Sequence, residues 1–159
     1  EGSAFWLARE AVAESMRGAG RVAGQDDART QALLDTFGCD SLRELARGFY
    51  GGVISRSALA RYARRTIDDP RWAPLVARGA RALADLARTA LDAHPSVLRR
   101  VAFAGGLFTS PAYRGAVAQE LGRMEPPIDI APARYEPAIG ALLLAYARGG
   151  LGVREVRLA

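Results

Sequence analysis

The sequence has no lysine, a single cysteine and a single histidine among its 159 residues, and these absences exclude several kinds of site. Cys39 alone can form neither an intrachain disulfide nor a multi-cysteine metal site, so we expect no metal site in this chain. The longest apolar run, 138–147, contains Gly140 and is far too short to cross a bilayer. We therefore expect no membrane partner. The scarcity of cysteine favours a cytoplasmic location.

The start of the chain also lacks two features. No initiator methionine precedes Glu1, so we expect a piece of a longer or processed polypeptide. No basic segment followed by an apolar run opens the sequence, so we expect no signal peptide.

Positive charge is carried by arginine alone and is spread along the chain. Arginine supplies all 22 basic residues, which gives a net charge of +5 against 17 acidic residues. A nucleic-acid-binding protein would cluster this charge on one face or helix. The segment 54–65 could pass for a DNA-recognition helix, but 51–53 separate it from the preceding helix. We therefore interpret the arginines mainly as solvated helix faces.

Helical patterns dominate the chain up to residue 95. Serines that can cap helices, and glycines that can end them, divide this region. The predicted helices are 4–17, 28–37, 42–50 after the capping box of Ser41 and Glu44, one from Ser55 or Ser57 to 65, and a long one from Pro70 or Pro74 to about 94. The apolar stripe expected on the long helix is Leu75, Ala82, Leu83, Leu86 and Ala90, with Gly79 on the same face.

The pattern then changes to alternating strands and helices. We predict a buried strand at 100–104, a helix from 111 to 121, a second strand at 128–131 and a last helix from 137 to 148. The segment 153–158 could be a strand or a frayed end. Two strands make a poor sheet, so further strands are expected from elsewhere. The fold class is α/β, rich in helix and with few strands.

The most informative local element is the pair Gly105-Gly106 between the first strand and a helix capped by Ser110. Glycines there let a ligand approach the backbone, and the helix N-terminus favours an anionic group. Taken alone, a glycine pair after a strand is more often a plain turn. Glu1-Gly2-Ser3 is the second element, and it could either contact a polyhydroxylated ligand or cap the first helix. We interpret four further residues as structural: His94, Cys39, Trp6 and Trp72.

Three segments together resemble one family. Residues 1–8, Glu-Gly-Ser-Ala-Phe-Trp-Leu-Ala, resemble a motif that opens a helix in N-acetylglucosamine kinases. Residues 102–108 resemble the adenosine motif of the actin-like ATPase superfamily, and 137–145 resemble its Gly-Ala-rich closing helix. Their order and spacing in this sequence fit the pattern of the N-acetylglucosamine kinase / BadF-BadG-BcrA-BcrD ATPase family, which the chain therefore resembles.

The resemblance implies the C-terminal lobe of a two-lobe, ribonuclease H-like sugar kinase, with a helical insert at about 18–95. ATP would lie between the lobes, with Mg²⁺ held through the missing N-terminal lobe. The residues carried over by position are Gly105, Gly106, Ser110 and Ala58 for ATP, and Glu1, Gly2, Ser3 and Ala4 for an amino sugar.

Parts of the family's machinery fall outside this sequence. The aspartate that normally precedes the glutamate, the phosphate loops and the catalytic base would all lie upstream, so no catalytic residue is assigned here. Because phosphoryl transfer depends on those parts, we expect this chain alone to be inactive.

Other interpretations stay open. The same wider family contains ATPases that activate iron–sulfur dehydratases or reductases through cysteine ligands. An arginine-rich nucleic-acid-binding module is a third possibility, although we expect no nucleic-acid partner. The identity of the sugar and the formation of a homodimer are not determined by the sequence.

Overall fold

Helices form most of the structure. The computed structural model describes residues 1–18 and 25–150, without the side chains of 25–27. Its α-helices are α1 Ala4–Gly18, α2 Gln25–Phe37, α3 Leu42–Tyr50, α4 Arg56–Asp68, α5 Ala73–Asp92, α6 Pro111–Gly122 and α7 Pro137–Arg148. Its strands are β1 Arg100–Val101 and β2 Asp129–Ile130, and short 3-10 turns span Pro70–Trp72 and Gly106–Thr109. The segment 153–158, whose state the sequence left undecided, lies outside the described residues.

Serine caps set the starts of α1, α3, α4 and α6, as the sequence predicts. Ser41 Oγ accepts a 3.2 Å hydrogen bond from the Glu44 amide, and Ser55 Oγ accepts one of 3.1 Å from the Ala58 amide. Glu44 reaches back to the amide of Asp40, at 2.8 Å, to complete a box-like arrangement. Each cap satisfies an amide that has no partner inside its helix. The main difference is that α2 begins at Gln25, earlier than the predicted residue 28.

The six helices from α1 through α6 pack around one hydrophobic core. Trp6 and Trp72 are buried in it, which confirms their interpretation as core residues. The buried stripe of α5 contains Leu75 and Gly79 as predicted, and it continues with Ala80 and Ala84. The other predicted members were wrong, because Leu86 is 64 % exposed, Ala90 is exposed, and Ala82 and Leu83 are only half-buried. The side chains of Trp6, Leu7 and Tyr113 lie within 3.3 Å of where a Cβ of Gly79 would be. Small residues are buried here because α1 and α6 approach α5 closely.

The two strands pair in parallel, with Arg100 opposite Asp129 and Val101 opposite Ile130. Each has two residues, so the predicted strands 100–104 and 128–131 were too long. The prediction that the first strand is buried was wrong as well, since Arg100 is exposed and Val101 only half-buried. A strand is covered on both sides only when neighbouring strands and helices surround it. Within the described residues this sheet has no third strand.

The last helix, α7, packs little against the rest. It begins at Pro137 as predicted, yet none of its residues is buried, and Leu142, Leu144 and Tyr146 expose large apolar surfaces. No helix in the described part of the chain has the length and apolar character needed to cross a membrane. Helices α2 to α5 share their core with α1 and α6, and their origin as an insert at about 18–95 stays a prediction.

Candidate functional site

A groove of about 900 Å³ runs between α4, the start of the chain and the loop that follows β1. We call it the diglycine groove. The residues that line it are Gly2, Ser3, Ala4, Ser57, Ala60, Arg61, Arg64, Ile67, Leu83, Ala104, Gly105, Gly106, Leu107, Phe108 and Ser110. Six of the eight candidate site residues lie in this set, although they come from segments about a hundred positions apart in the sequence.

Gly105 and Gly106 form an exposed wall of the groove. Gly105 has a φ of 103°, a conformation that L side chains rarely adopt, so the turn itself requires glycine there. Gly106 starts the 3-10 turn, its φ lies outside the left-handed range, and a Cβ on it would have no atom within 4 Å. Neither conformation nor packing therefore explains a glycine at 106. Close approach of a ligand to the backbone would explain it.

Ser110 ends this wall. Its side chain is buried and accepts a hydrogen bond from the amide of Tyr113, 3.4 Å away, at the start of α6. The residue thus fixes where α6 begins and contributes to the groove. Its hydroxyl has a structural function in addition to any contact with a ligand.

Gly2, Ser3 and Ala4 form a second wall. Gly2 is buried, and its carbonyl oxygen accepts a 2.6 Å hydrogen bond from the hydroxyl of Tyr113. Burial raises the pKa of Tyr113 to about 12, so this hydroxyl stays protonated at neutral pH. Ser3 Oγ accepts a 3.2 Å hydrogen bond from the amide of Trp6, which supports its interpretation as a helix cap.

Two predicted site residues do not line the groove. Glu1 is exposed next to it. Ala58 lies on the adjoining face of α4, in a neighbouring pocket of about 260 Å³ that Thr36, Phe37, Arg61, Tyr62 and Arg65 also line. The helical period accounts for this, because positions 57, 60, 61 and 64 share one face of α4, and position 58 is turned away from it. Arg61 borders both cavities.

The sequence interpretation missed the residues that α4 contributes to the groove. Arg64 donates a hydrogen bond from Nη2 to the hydroxyl of Thr109, and that hydroxyl donates to the carbonyl oxygen of Gly106, 2.8 Å away. This chain of bonds ties α4 to the diglycine turn. The three- and four-residue spacing of Ser57, Arg61 and Arg64 would have placed them on one face, but not opposite Gly106.

A second pocket, of about 460 Å³, lies where both strands end. Phe108 borders this pocket as well as the diglycine groove, and its ring stacks on Phe103 with centroids 4.5 Å apart. Carboxyl ends of parallel strands are common ligand sites in open α/β folds. The aromatic pair connects Phe103, which follows β1, to the 3-10 turn, which contains Phe108.

The side chains that most often hold metals are dispersed. No group of three or more histidine, cysteine, aspartate or glutamate residues in the described part of the chain could hold a metal ion. His94 is exposed, and Cys39 is half-buried in the turn between α2 and α3. Desolvation, together with Glu44 and Asp40, raises the pKa of Cys39, which disfavours the reactive thiolate.

The sequence was also compared with known proteins. Neither the models of protein families nor the curated protein sequences gave a match to this chain.

Proposed function

We propose that this chain is the C-terminal part of an ATP-dependent N-acetylglucosamine (amino-sugar) kinase with a ribonuclease H-like lobe. The complete enzyme would transfer the γ-phosphoryl group to a hydroxyl of the sugar in the cytoplasm. One observation carries the proposal: a single open groove is lined both by Gly2, Ser3 and Ala4 and by Gly105, Gly106 and Ser110. These are residues that the resemblance assigns to sugar and to nucleotide.

The resemblance assigns the roles of these residues, and their exposure supports those roles. Gly105 and Gly106 would let the adenosine pack against the backbone, because no side chain stands between it and the loop. The exposed hydroxyl of Ser3 and the nearby carboxylate of Glu1 would meet the sugar hydroxyls. Ala58 would contact the nucleotide only where the ligand extends over Arg61 into the neighbouring pocket.

The catalytic step would depend on the lobe outside this chain. Phosphoryl transfer requires positioning of the two substrates and stabilisation of charge by metal and donors. In the complete kinase Mg²⁺ would supply that charge stabilisation, held through the N-terminal lobe. The contacts in this chain would bind the ground state and contribute little rate by themselves.

The two alternative functions gain no support from the geometry. An activator of an iron–sulfur enzyme needs cysteine ligands near its nucleotide site, whereas Cys39 does not line the diglycine groove. A nucleic-acid-binding module needs a contiguous basic face, whereas many arginines form ion pairs with carboxylates, among them Arg71, Arg78 and Arg99.

The Gly106→Ala substitution tests the nucleotide site. The added methyl group meets no protein atom within 4 Å, so the fold should be unaffected, but it would enter the groove where the adenosine is proposed to lie. We expect ATP to bind the wild-type chain and to bind the variant at least about tenfold more weakly. The added methyl group would remove close contact and cause steric overlap with the adenosine, at a cost in binding free energy of more than about 1.4 kcal/mol. Isothermal titration calorimetry measures both affinities.

Gly115→Ala is the matched control. Gly115 also has open space around it, but it lies in α6 outside the groove, so its substitution should leave ATP binding unchanged. Absence of saturable ATP binding to the wild-type chain would contradict the proposed function. Equal affinities for the two variants would contradict the assigned position of the adenosine.

A further inference from the structure

The diglycine groove has an unbalanced charge. Arg61 and Arg64 are the ionisable residues of its lining, and no aspartate or glutamate is among the groove residues. The chain as a whole has 17 acidic residues, and several of its arginines are held in ion pairs with them. A groove whose lining has two guanidinium groups and no carboxylate favours an anionic occupant, and the neighbouring carboxylate of Glu1 is exposed beside the groove.

Both guanidinium groups can reach a ligand. The described residues offer Arg61 no carboxylate within ion-pair distance and no hydrogen-bond partner, and its side chain is exposed. Arg64 uses Nη2 for Thr109, and a guanidinium has further donors on its other nitrogens. Neither arginine would have to leave a carboxylate partner to bind an anion.

Their spacing places the two side chains together. Positions 61 and 64 are three apart, so they are neighbours on the surface of α4. The hydroxyl of Thr109 connects Arg64 to the carbonyl oxygen of Gly106, which brings the cationic face of α4 beside the diglycine turn. Planar guanidinium groups match the oxygens of phosphate and of carboxylate with paired hydrogen bonds. In a groove proposed to hold a nucleotide, phosphate is the anion of these two that the ligand carries.

We propose that Arg61 and Arg64 form a phosphate-binding subsite on the α4 wall of the diglycine groove. This inference rests on the proposed function in one respect, that the phosphate belongs to a nucleotide whose adenosine lies on the diglycine turn. The subsite makes the groove selective for a nucleotide over the uncharged nucleoside.

The test compares ATP, adenosine and inorganic pyrophosphate as probes of the whole chain, by isothermal titration calorimetry at low and moderate NaCl concentrations. We expect ATP to bind more tightly than adenosine, and Arg61→Gln to weaken ATP binding about tenfold while adenosine binding is unchanged. The advantage of ATP over adenosine should also shrink with salt, since exposed charges are screened.

Arg43→Gln is the control. It removes the same charge from an exposed position on α3 outside the groove, so it should leave all three affinities unchanged. Arg61→Lys keeps the charge without the planar fork and should retain part of the affinity for ATP. Both Arg61 variants alter an exposed side chain, so the fold should tolerate them.

The outcomes separate this inference from the proposed function. Saturable adenosine binding with no advantage for ATP, or equal effects of Arg61→Gln and Arg43→Gln, overturns the phosphate subsite and leaves the nucleotide site standing. Binding of pyrophosphate that Arg61→Gln abolishes, without saturable binding of ATP or of adenosine, supports the subsite and contradicts the kinase function.

Discussion

Gly2 lies where three segments meet. Its carbonyl oxygen accepts the hydrogen bond of Tyr113 from α6, and its φ is 79°. A Cβ at this position would lie 2.5 Å from Cγ of Leu83 and 2.6 Å from the carbonyl oxygen of Gly79, both on α5. The start of the chain is therefore held against α5 and α6 by two requirements that only glycine meets together. This is what fixes the second wall of the groove.

We expect Gly2→Ala to destabilise the protein by about 2–4 kcal/mol, because backbone strain and steric overlap add together. Gly52→Ala is the matched control, since Gly52 has the same φ of 79° but nothing within 4 Å of a Cβ. The control should cost only about 1 kcal/mol, from the strain alone. Urea denaturation followed by circular dichroism measures both, and equal costs would show that the overlap is relieved without loss.

Tyr113 makes the stability of the folded protein depend on pH in the alkaline range. Its pKa is raised to about 12 in the folded protein, whereas an unfolded tyrosine ionises near 10. The folded state therefore keeps a proton that the unfolded state loses. The contribution of Tyr113 to the free energy of unfolding is therefore complete below pH 10. It declines between pH 10 and 12, by up to about 1.4 kcal/mol per pH unit.

In Tyr113→Phe we expect a loss of about 1–2 kcal/mol at pH 7, from the missing hydrogen bond to Gly2, and a flatter decline above pH 10. Urea unfolding at pH 7, 10 and 11 measures both effects. Part of the decline should persist, because burial also raises the pKa of Tyr62. If the free energy of unfolding of the variant falls as steeply above pH 10 as that of the wild type, Tyr113 is not the cause of the pH dependence.

At the scale of elements, α5 and α7 are opposites. Helix α5 buries Leu75 and a stripe of small residues against α1 and α6, whereas no residue of α7 is buried. Both sequences are apolar enough to predict a packed helix. Only the presence of neighbouring elements distinguishes them.

A pair of leucine substitutions measures this contrast. Leu75 is 1 % exposed, so Leu75→Ala should lower the free energy of unfolding by about 2–5 kcal/mol. Leu144 is 66 % exposed, so Leu144→Ala should change the free energy of unfolding by no more than about 0.5 kcal/mol. Urea denaturation of the two variants provides the comparison. A loss above about 1 kcal/mol for Leu144→Ala would show that α7 is covered in solution.

Across the described residues as a whole, the helical core is extensive and the sheet is small. A single cluster of buried residues extends from α1 to α6, while the paired strands have two residues each. Two short strands do not make a stable sheet by themselves. The proposed kinase accounts for this difference, because its other lobe and further strands would cover the sheet and α7.

The candidate site could be predicted in part. The sequence singled out Gly105, Gly106 and Ser110 because glycine pairs and capping residues act within a few positions. It did not find Arg61 or Arg64, because nothing local indicates that this face of α4 lies opposite the loop. Ala58 was assigned by resemblance, and helical rotation turns it toward the adjoining pocket.

Local signals in the sequence predicted the starts of α1, α3, α4, α6 and α7, the break at Gly51-Gly52 and the diglycine turn after β1. These features depend on hydrogen bonds and backbone conformations within a few positions of the chain. Packing between distant elements sets which face of α5 is buried, limits each strand to two residues and brings the start of the chain against α6. The bond from Tyr113 to Gly2 joins residues 111 positions apart. Such contacts depend on the packing of whole helices against one another, which no local pattern specifies.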